Sequence, residues 1–156
     1  TAERGVKRRR PSVALPVGGK VLLDTNVLID YLRAGLHAEW VLGGGGSILR
    51  FISAITILEL RLGADTPTRK KAVDRLQQAF QTGRTLGLPP PLLDHAGRIF
   101  RALYGNAAGM GDRLGPLDDV LIALTARQIG ATVVTRNVME FRRIAAKVSG
   151  LKIVAP

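Results

Sequence analysis

Cysteine is absent from this sequence. That excludes a disulfide framework and any metal held by thiolates. Histidine occurs only at His37 and His95, without the spacing of a ligand pair, so both read as surface or helix-face residues. Ser47, Ser53 and Ser149 have no histidine partner in the pattern, which leaves a serine hydrolase without support. No apolar run approaches the ~20 residues that cross a bilayer, so no membrane partner is expected. The basic N-terminus is followed by no apolar stretch, so no signal peptide is expected and a cytosolic location fits. Gly43–Gly46 has no lysine after it, which argues against a nucleotide-cradling loop. Aromatic residues make up only 4% of the chain.

What is present is an ordinary apolar fraction of 46% and a marked excess of base, +11 from 23 Lys plus Arg against 12 Asp plus Glu. A length of 156 residues suits one domain with one core. Residues 1–19 combine Arg4, Lys7, Arg8, Arg9 and Arg10 with Pro11, Pro16, Gly18 and Gly19, and read as a basic flexible arm. Beyond the first ten residues, 18 bases and 11 acids remain, a balance of +7, so the excess also belongs to the folded part, residues 20–156. Nucleic acid is the polyanion such a surface suits, because lysine and arginine release its condensed counterions.

Strand-like and helix-like stretches alternate along the chain. Val21, Leu22 and Leu23 form an apolar run that suits a strand covered on both faces, and Asp24 closes it. Thr25 or Asn26 can cap the helix that follows over Val27, Leu28, Tyr31 and Leu32. A short helix around Trp40 and Val41 precedes a strand over 47–52, and Ser53 caps a helix through Leu62. Thr66–Pro67 opens a helix to about Thr82, residues 85–88 suit a short strand, and Leu92 to Tyr104 suits a helix. Gly105 to Gly115 is a glycine-dense loop, a candidate for mobility near a site. Asp118–Asp119 opens a helix to Ile129, residues 131–135 and 151–154 suit strands, and residues 136–141 suit a loop or short helix. The expected fold is α/β, a three-layer α/β/α arrangement with a mostly parallel sheet.

Several acids fall at equivalent places in this pattern. Asp24 sits at a strand's C-terminal edge, where open α/β sheets place ligands, and reads either as a helix cap or as a ligand for a hard cation. Glu59 borders an apolar helix face, either paired at the surface with Arg61 or Arg33 or turned toward a cation. Asp118 and Asp119 suit helix caps, and Asp119 heads a fully apolar stretch that points it toward the strand ends. Asn137 and Glu140 lie past another strand's end. Asp30, Asp65, Asp74, Asp94 and Asp112 read as solvated or capping acids. Carboxylates sharing a pocket repel unless a divalent cation lies between them, and oxygen ligands favour Mg²⁺ or Mn²⁺. Joined to a basic surface, this pattern points to metal-dependent hydrolysis of a nucleic-acid backbone.

The segments 21–30 (VLLDTNVLID), 53–60 (SAITILEL), 119–126 (DVLIALTA) and 134–141 (VTRNVMEF), in this order, resemble a PIN domain, and within it the VapC-type toxins of toxin–antitoxin pairs. The resemblance implies a PIN-like parallel sheet between helices and an endoribonuclease that uses a metal-activated water for in-line attack. Asp24, Glu59 and Asp119 match the family's three acids and would bind Mg²⁺ or Mn²⁺, with Asp118 as the alternative to Asp119. At the variable fourth position Asn137 stands where many members carry Asp, and Glu140 matches the acid of others. Thr25, Asn26 and Thr135 would support the site, and Arg136 would contact RNA phosphate or antitoxin carboxylate. The resemblance also implies a homodimer and a cognate VapB-like antitoxin that inserts a tail into the acidic groove.

Two rivals remain at this point. One is a basic, non-catalytic nucleic-acid-binding or regulatory α/β domain in which the acids are caps and surface pairs. The other is a phosphotransferase with an aspartyl nucleophile at Asp24, although Asn26 stands where that chemistry usually places a second acid.

Overall fold

The structure is a computed structural model, which describes residues 19–43, 48–80, 83–105 and 114–156. The basic arm, apart from Gly19, and most of the 105–115 loop lie outside these residues, as does Asp112.

β1 (Lys20–Leu23) lies at the centre of a sheet ordered β3-β2-β1-β4-β5, with β2 at Leu49–Ser53, β3 at Thr85–Leu86, β4 at Thr132–Val134 and β5 at Lys152–Val154. Every described pairing is parallel, with Leu22 opposite Phe51 on one side and Val133 on the other. Val21, Leu22 and Leu23 are fully buried because helices cover both faces. Side chains alternate along a strand, so Val21 and Leu23 face a cluster with Val27, Leu28, Trp40, Leu60, Val73 and Leu76. Leu22 and Val133 face the opposite cluster, with Phe100, Val120, Ile122, Phe141 and Ile144. The first cluster draws on α1 (Thr25–Ala34), α2 (Ala38–Val41), α3 (Ala54–Gly63) and α4 (Pro67–Ala79). The second draws on α5 (Pro90–Tyr104), α6 (Leu114–Ile129) and α7 (Val138–Ala145). The three-layer α/β/α expectation therefore describes the molecule. No helix among the described residues is long and apolar enough to cross a membrane.

Three local differences from the sequence reading bear on the site. Helix α1 is capped by Asp24 itself, whose carboxylate accepts from the Thr25 N–H at 2.7 Å, so Thr25 and Asn26 lie inside the helix and are not its caps. Helix α6 begins at Leu114, a turn earlier than expected, so Asp118 and Asp119 are interior residues and not caps; Gly115 is helical as well. The helical pattern of 120–129 was visible, but Gly115 and Pro116 masked its start, although proline is tolerated in a first turn. Residues 138–145 form a full helix because Phe141 and Ile144, three apart, bury one face against the sheet.

The strand order reverses between β1 and β4, since the chain builds β2 and β3 to one side of β1 before crossing to the other. Ligand crevices of open α/β sheets form at such switch points. Phe141, fully buried against Leu22 and its neighbours, fastens α7 to this region. Phe141→Ala is expected to cost about 3–5 kcal/mol of unfolding free energy, read from the urea midpoint.

Candidate active site

Asp24 ends β1 and Thr135 follows β4, on the two sides of the switch point. The Asp24 N–H donates to the Val134 carbonyl at 2.9 Å, and the Thr135 hydroxyl donates to Asp24 Oδ2 at 2.7 Å. The same hydroxyl oxygen accepts from Asn137 N at 2.9 Å and from Asn26 Nδ2 at 3.4 Å. A threonine hydroxyl has one donor and two acceptor positions, and Thr135, fully buried, uses all three. Among the described residues no buried side-chain polar atom lacks a partner.

Glu59 reaches this end of the sheet from α3. The Thr25 hydroxyl donates to Glu59 Oε1 at 2.7 Å and lies 3.1 Å from the buried Thr56 hydroxyl. Its expected pairing with Arg61 or Arg33 is not made, because Arg61 is drawn to Asp74 at 2.6 Å on the neighbouring helix α4. Asp119 arrives from α6, and Asn137 Nδ2 donates to its Oδ2 at 3.4 Å. Asp118, one position before Asp119 on that helix, lies near enough to the Glu59 carboxyl for its charge to raise that group's pKa. Glu140, on α7, accepts from the Tyr104 hydroxyl.

These groups line a cleft of about 380 Å³, walled by Asp24, Thr25, Asn26, Ile29, Glu59, Gly115, Pro116, Asp119, Asn137 and Glu140. Asp118 stands outside the lining. The structure thus brings together the three acids of the resemblance and both candidates for its fourth position.

Their electrostatics follow from burial and crowding. Burial pushes the Asp24 carboxyl up against the lowering effects of Thr135, the Thr25 N–H, Arg136 and Asn26. Burial raises Glu59 to about 7, helped by the charges of Asp118 and Asp24 and opposed by the Thr25 hydrogen bond. Asp119 also rises to about 7, through burial first and then the charges of Asp24, Glu59 and Asp118. Burial lifts Asp118 too. Two protons held near neutrality in one cleft mark a place built for positive charge.

The lining supplies hard oxygen donors and neither His nor Cys. Among the described residues, however, no three such acids converge closely enough to ligate one ion together. The hydroxyls of Thr25 and Thr135 and the amide of Asn137 hold the carboxylates individually.

Two pairings escaped the sequence reading. Asp30, taken as a solvated or capping acid, is 20% exposed and contacts both Arg136 and His37. His37 is no plain surface residue: it precedes α2 with a left-handed φ of 59°. The one available signal was spacing, since Asn26 and Asp30 stand one helical turn apart. Asp65 and Asp94 do sit on the surface, each paired with an arginine four positions on.

Fold and cleft together define a class, a doubly wound α/β domain with an acidic crevice at its switch point. The family model of the PIN domain matches residues 21–147, and the chain belongs to the PIN-domain family. It is 34% identical over 130 residues to Toxin FitB of Neisseria gonorrhoeae, across 78% of this chain and 90% of that protein. It is 31% identical over 131 residues to the tRNA(fMet)-specific endonuclease VapC of Shigella flexneri, across 80% of this chain and 92% of that protein. Among solved structures, DNA-bound VapBC from Salmonella typhimurium superposes with a TM-score of 0.62 at 27% identity, across 88% of this chain and 98% of the matched one.

Two outcomes follow from this arrangement. Folded Glu59 and Asp119 keep protons up to about pH 7 that the unfolded chain releases about two to three units lower. Stability therefore falls as pH rises through that interval, because the folded state binds the extra protons. Thermal melts in chelator should show a lower midpoint at about pH 8 than at about pH 5, and Asp119→Asn should flatten the slope. Thr135→Val leaves Asp24 Oδ2 and the Asn137 N–H without this hydroxyl, while Asp24 Oδ1 keeps the Thr25 N–H, and should cost about 1–3 kcal/mol for each atom left unpaired. Thr135→Ser should cost much less in the same urea titration.

Proposed function

We propose that this chain is the toxin of a toxin–antitoxin pair, an endoribonuclease that hydrolyses RNA phosphodiesters with the help of Mg²⁺ or Mn²⁺. The observation that carries the reading is the cleft in which Asp24, Glu59 and Asp119 crowd until two of them hold protons near neutrality. Membership of the PIN-domain family and similarity to a protein named as a tRNA endonuclease support the same activity.

What supports metal binding is the donor set, which is all oxygen. Mg²⁺ commonly takes one or two carboxylates directly and keeps several waters, so it suits a cleft whose acids do not converge three at a time. In this reading Asp24 and Asp119 would hold the ion, with Glu59, Asn137 and Glu140 lining the same cleft. When bound, the ion lowers the pKa of a water and neutralises charge on the phosphate. The chain's own residues do the rest. Thr135 and the Thr25 N–H fix the Asp24 carboxylate, Thr25 fixes Glu59, and Asn137 fixes Asp119. In this reading Glu59, its carboxyl held in place by Thr25, would take the proton from the attacking water.

A cognate antitoxin belongs to this reading, since the relative from Neisseria gonorrhoeae is named a toxin and a similar solved structure is named a toxin–antitoxin complex. So does self-association: Leu58 and Leu62, one turn apart on α3, are 53% and 78% exposed. Asn137 in place of an acid favours one strongly held ion over two.

Cleavage of total cellular RNA, with initiator tRNA as one defined substrate, tests the proposal. Discrete fragments should appear with Mg²⁺ or Mn²⁺ and vanish in chelator. Asp24→Asn and Asp119→Asn should each lower the rate by about 10²-fold or more, the scale of losing several kcal/mol of transition-state charge stabilisation. Bound but intact RNA under all conditions would instead establish the non-catalytic binding domain.

A further inference from the structure

The arginine after the β4 hub is gripped twice by one face of α1. Asn26 Oδ1 accepts from the Arg136 backbone N–H at 3.3 Å, and one turn further on Asp30 Oδ2 lies 2.7 Å from Arg136 Nε. Asp30 is itself steadied, since His37 Nε2 stands 3.1 Å from the same oxygen. Asp30 is only 20% exposed, whereas the arginine side chain is 55% exposed. Its guanidinium has no other acceptor among the described residues. The arginine sits between two cleft residues, since Asn26 and Asn137 both line the cleft, and its charge is felt at Asp24.

A long cation beside a carboxylate cluster would ordinarily fold onto the nearest cleft acid. Here the guanidinium forms its ion pair with Asp30, Nε to Oδ2 at 2.7 Å, and not with Asp24. An arginine tied at one edge still offers N–H donors on its other edge, and that planar fork matches phosphate oxygens. The cleft beside it is read here as acting on phosphodiesters, so an RNA phosphate is the anion that this fork would meet.

We propose that Asp30 is a positioning residue: with Asn26 it holds the Arg136 guanidinium at the cleft rim, where it binds an RNA phosphate flanking the bond to be cut. The inference rests on the ribonuclease reading for the identity of the anion. His37 acts one step further out, by restricting the Asp30 rotamer.

The charge change alone gives the opposite sign, which makes the test sharp. Replacing Asp30 by asparagine removes a negative charge near an RNA site, and simple electrostatics then strengthens binding. Loss of positioning weakens it. Binding of a fluorescent single-stranded RNA oligonucleotide is measured by anisotropy in chelator, where no cleavage occurs. Asp30→Asn should weaken binding about 10-fold or more, on the scale seen when an outer-shell partner is lost. Asp30→Glu should recover most of that loss. Arg136→Ala should weaken binding at least as much, and Asp30→Asn added to it should change nothing further.

Arg136→Lys, which keeps the charge and loses the Nε grip, should fail to replace arginine, and it serves if Asp30→Asn does not fold. Unchanged or tighter binding by Asp30→Asn overturns the proposal, as does a loss that persists in full in the Arg136→Ala background. Wild-type affinity in Arg136→Lys overturns it too. An arginine reserved for a carboxylate of a protein partner would leave RNA affinity unchanged in all these variants, and that result likewise overturns the proposal. Cleavage of the same RNA by the wild-type protein with Mg²⁺ or Mn²⁺ is scored separately, so the ribonuclease reading and the positioning role fail independently.

Discussion

Burial of Asp24, Glu59, Asp118 and Asp119, reinforced at Glu59 and Asp119 by the charges of their neighbours, is the constraint around which this end of the molecule is built. Like charges about 4 Å apart repel by roughly 4 kcal/mol at the dielectric typical of a protein surface. Burial adds a desolvation penalty to each, and Glu59 and Asp119 answer by holding protons near neutrality. Such a cluster persists only if the surrounding structure compels it. A packed domain of this size has a net stability of only about 5–15 kcal/mol, so an unfavourable cluster has to be held by the packing around it. A cation in the cleft removes both protonation and repulsion, which is the physical reason to expect one there.

The compulsion comes from the sheet. β1 is buried on both faces and paired on both edges, so the carbon skeleton of Asp24 has almost no freedom. Thr135 then locks β4's end to β1's end through a single hydroxyl that makes every hydrogen bond it can. Each acid is restrained by a different neutral group: Thr135 for Asp24, Thr25 for Glu59, Asn137 for Asp119 and Tyr104 for Glu140. Neutral hydroxyls and amides orient a carboxylate without cancelling its charge. An arginine or lysine in the same place would have done both, and the cleft would have lost its negative charge.

Much of this was legible along the chain, because the signals were local. An apolar triplet ending in Asp24, and an apolar helix carrying Asp119, specify their own burial and direction through period alone. Capping chemistry was legible at Ser53, whose side chain accepts from Ile55 N at 3.3 Å. What failed was whatever depended on distant partners. Glu59 bordered an apolar face, but only the fold decides that Asp74 claims Arg61 and leaves Glu59 to Thr25, 34 positions away. Asp30 looked like any helix-face acid, because Arg136 lies more than a hundred positions along. The start of α6 was misread for a different reason: glycine and proline are strong local stop signals, here overridden by a buried helix that extends one turn further back.

The overall charge of +11 and the acidic cleft are complementary, and distance reconciles them. Screening in physiological salt confines charge effects to about 8 Å. A polyanion approaching the protein therefore meets the basic surface first and is concentrated there. Only within the last few ångströms does it meet the carboxylates, which oppose its phosphates. A phosphate is stable at that position only if positive charge intervenes, either an ion held by the acids or a guanidinium at their edge. Asp24 and Asp119 line the cleft, while Arg136 is paired with Asp30, which is not among the lining residues. An acidic centre inside a basic protein thus opposes a phosphate wherever no positive charge stands between them.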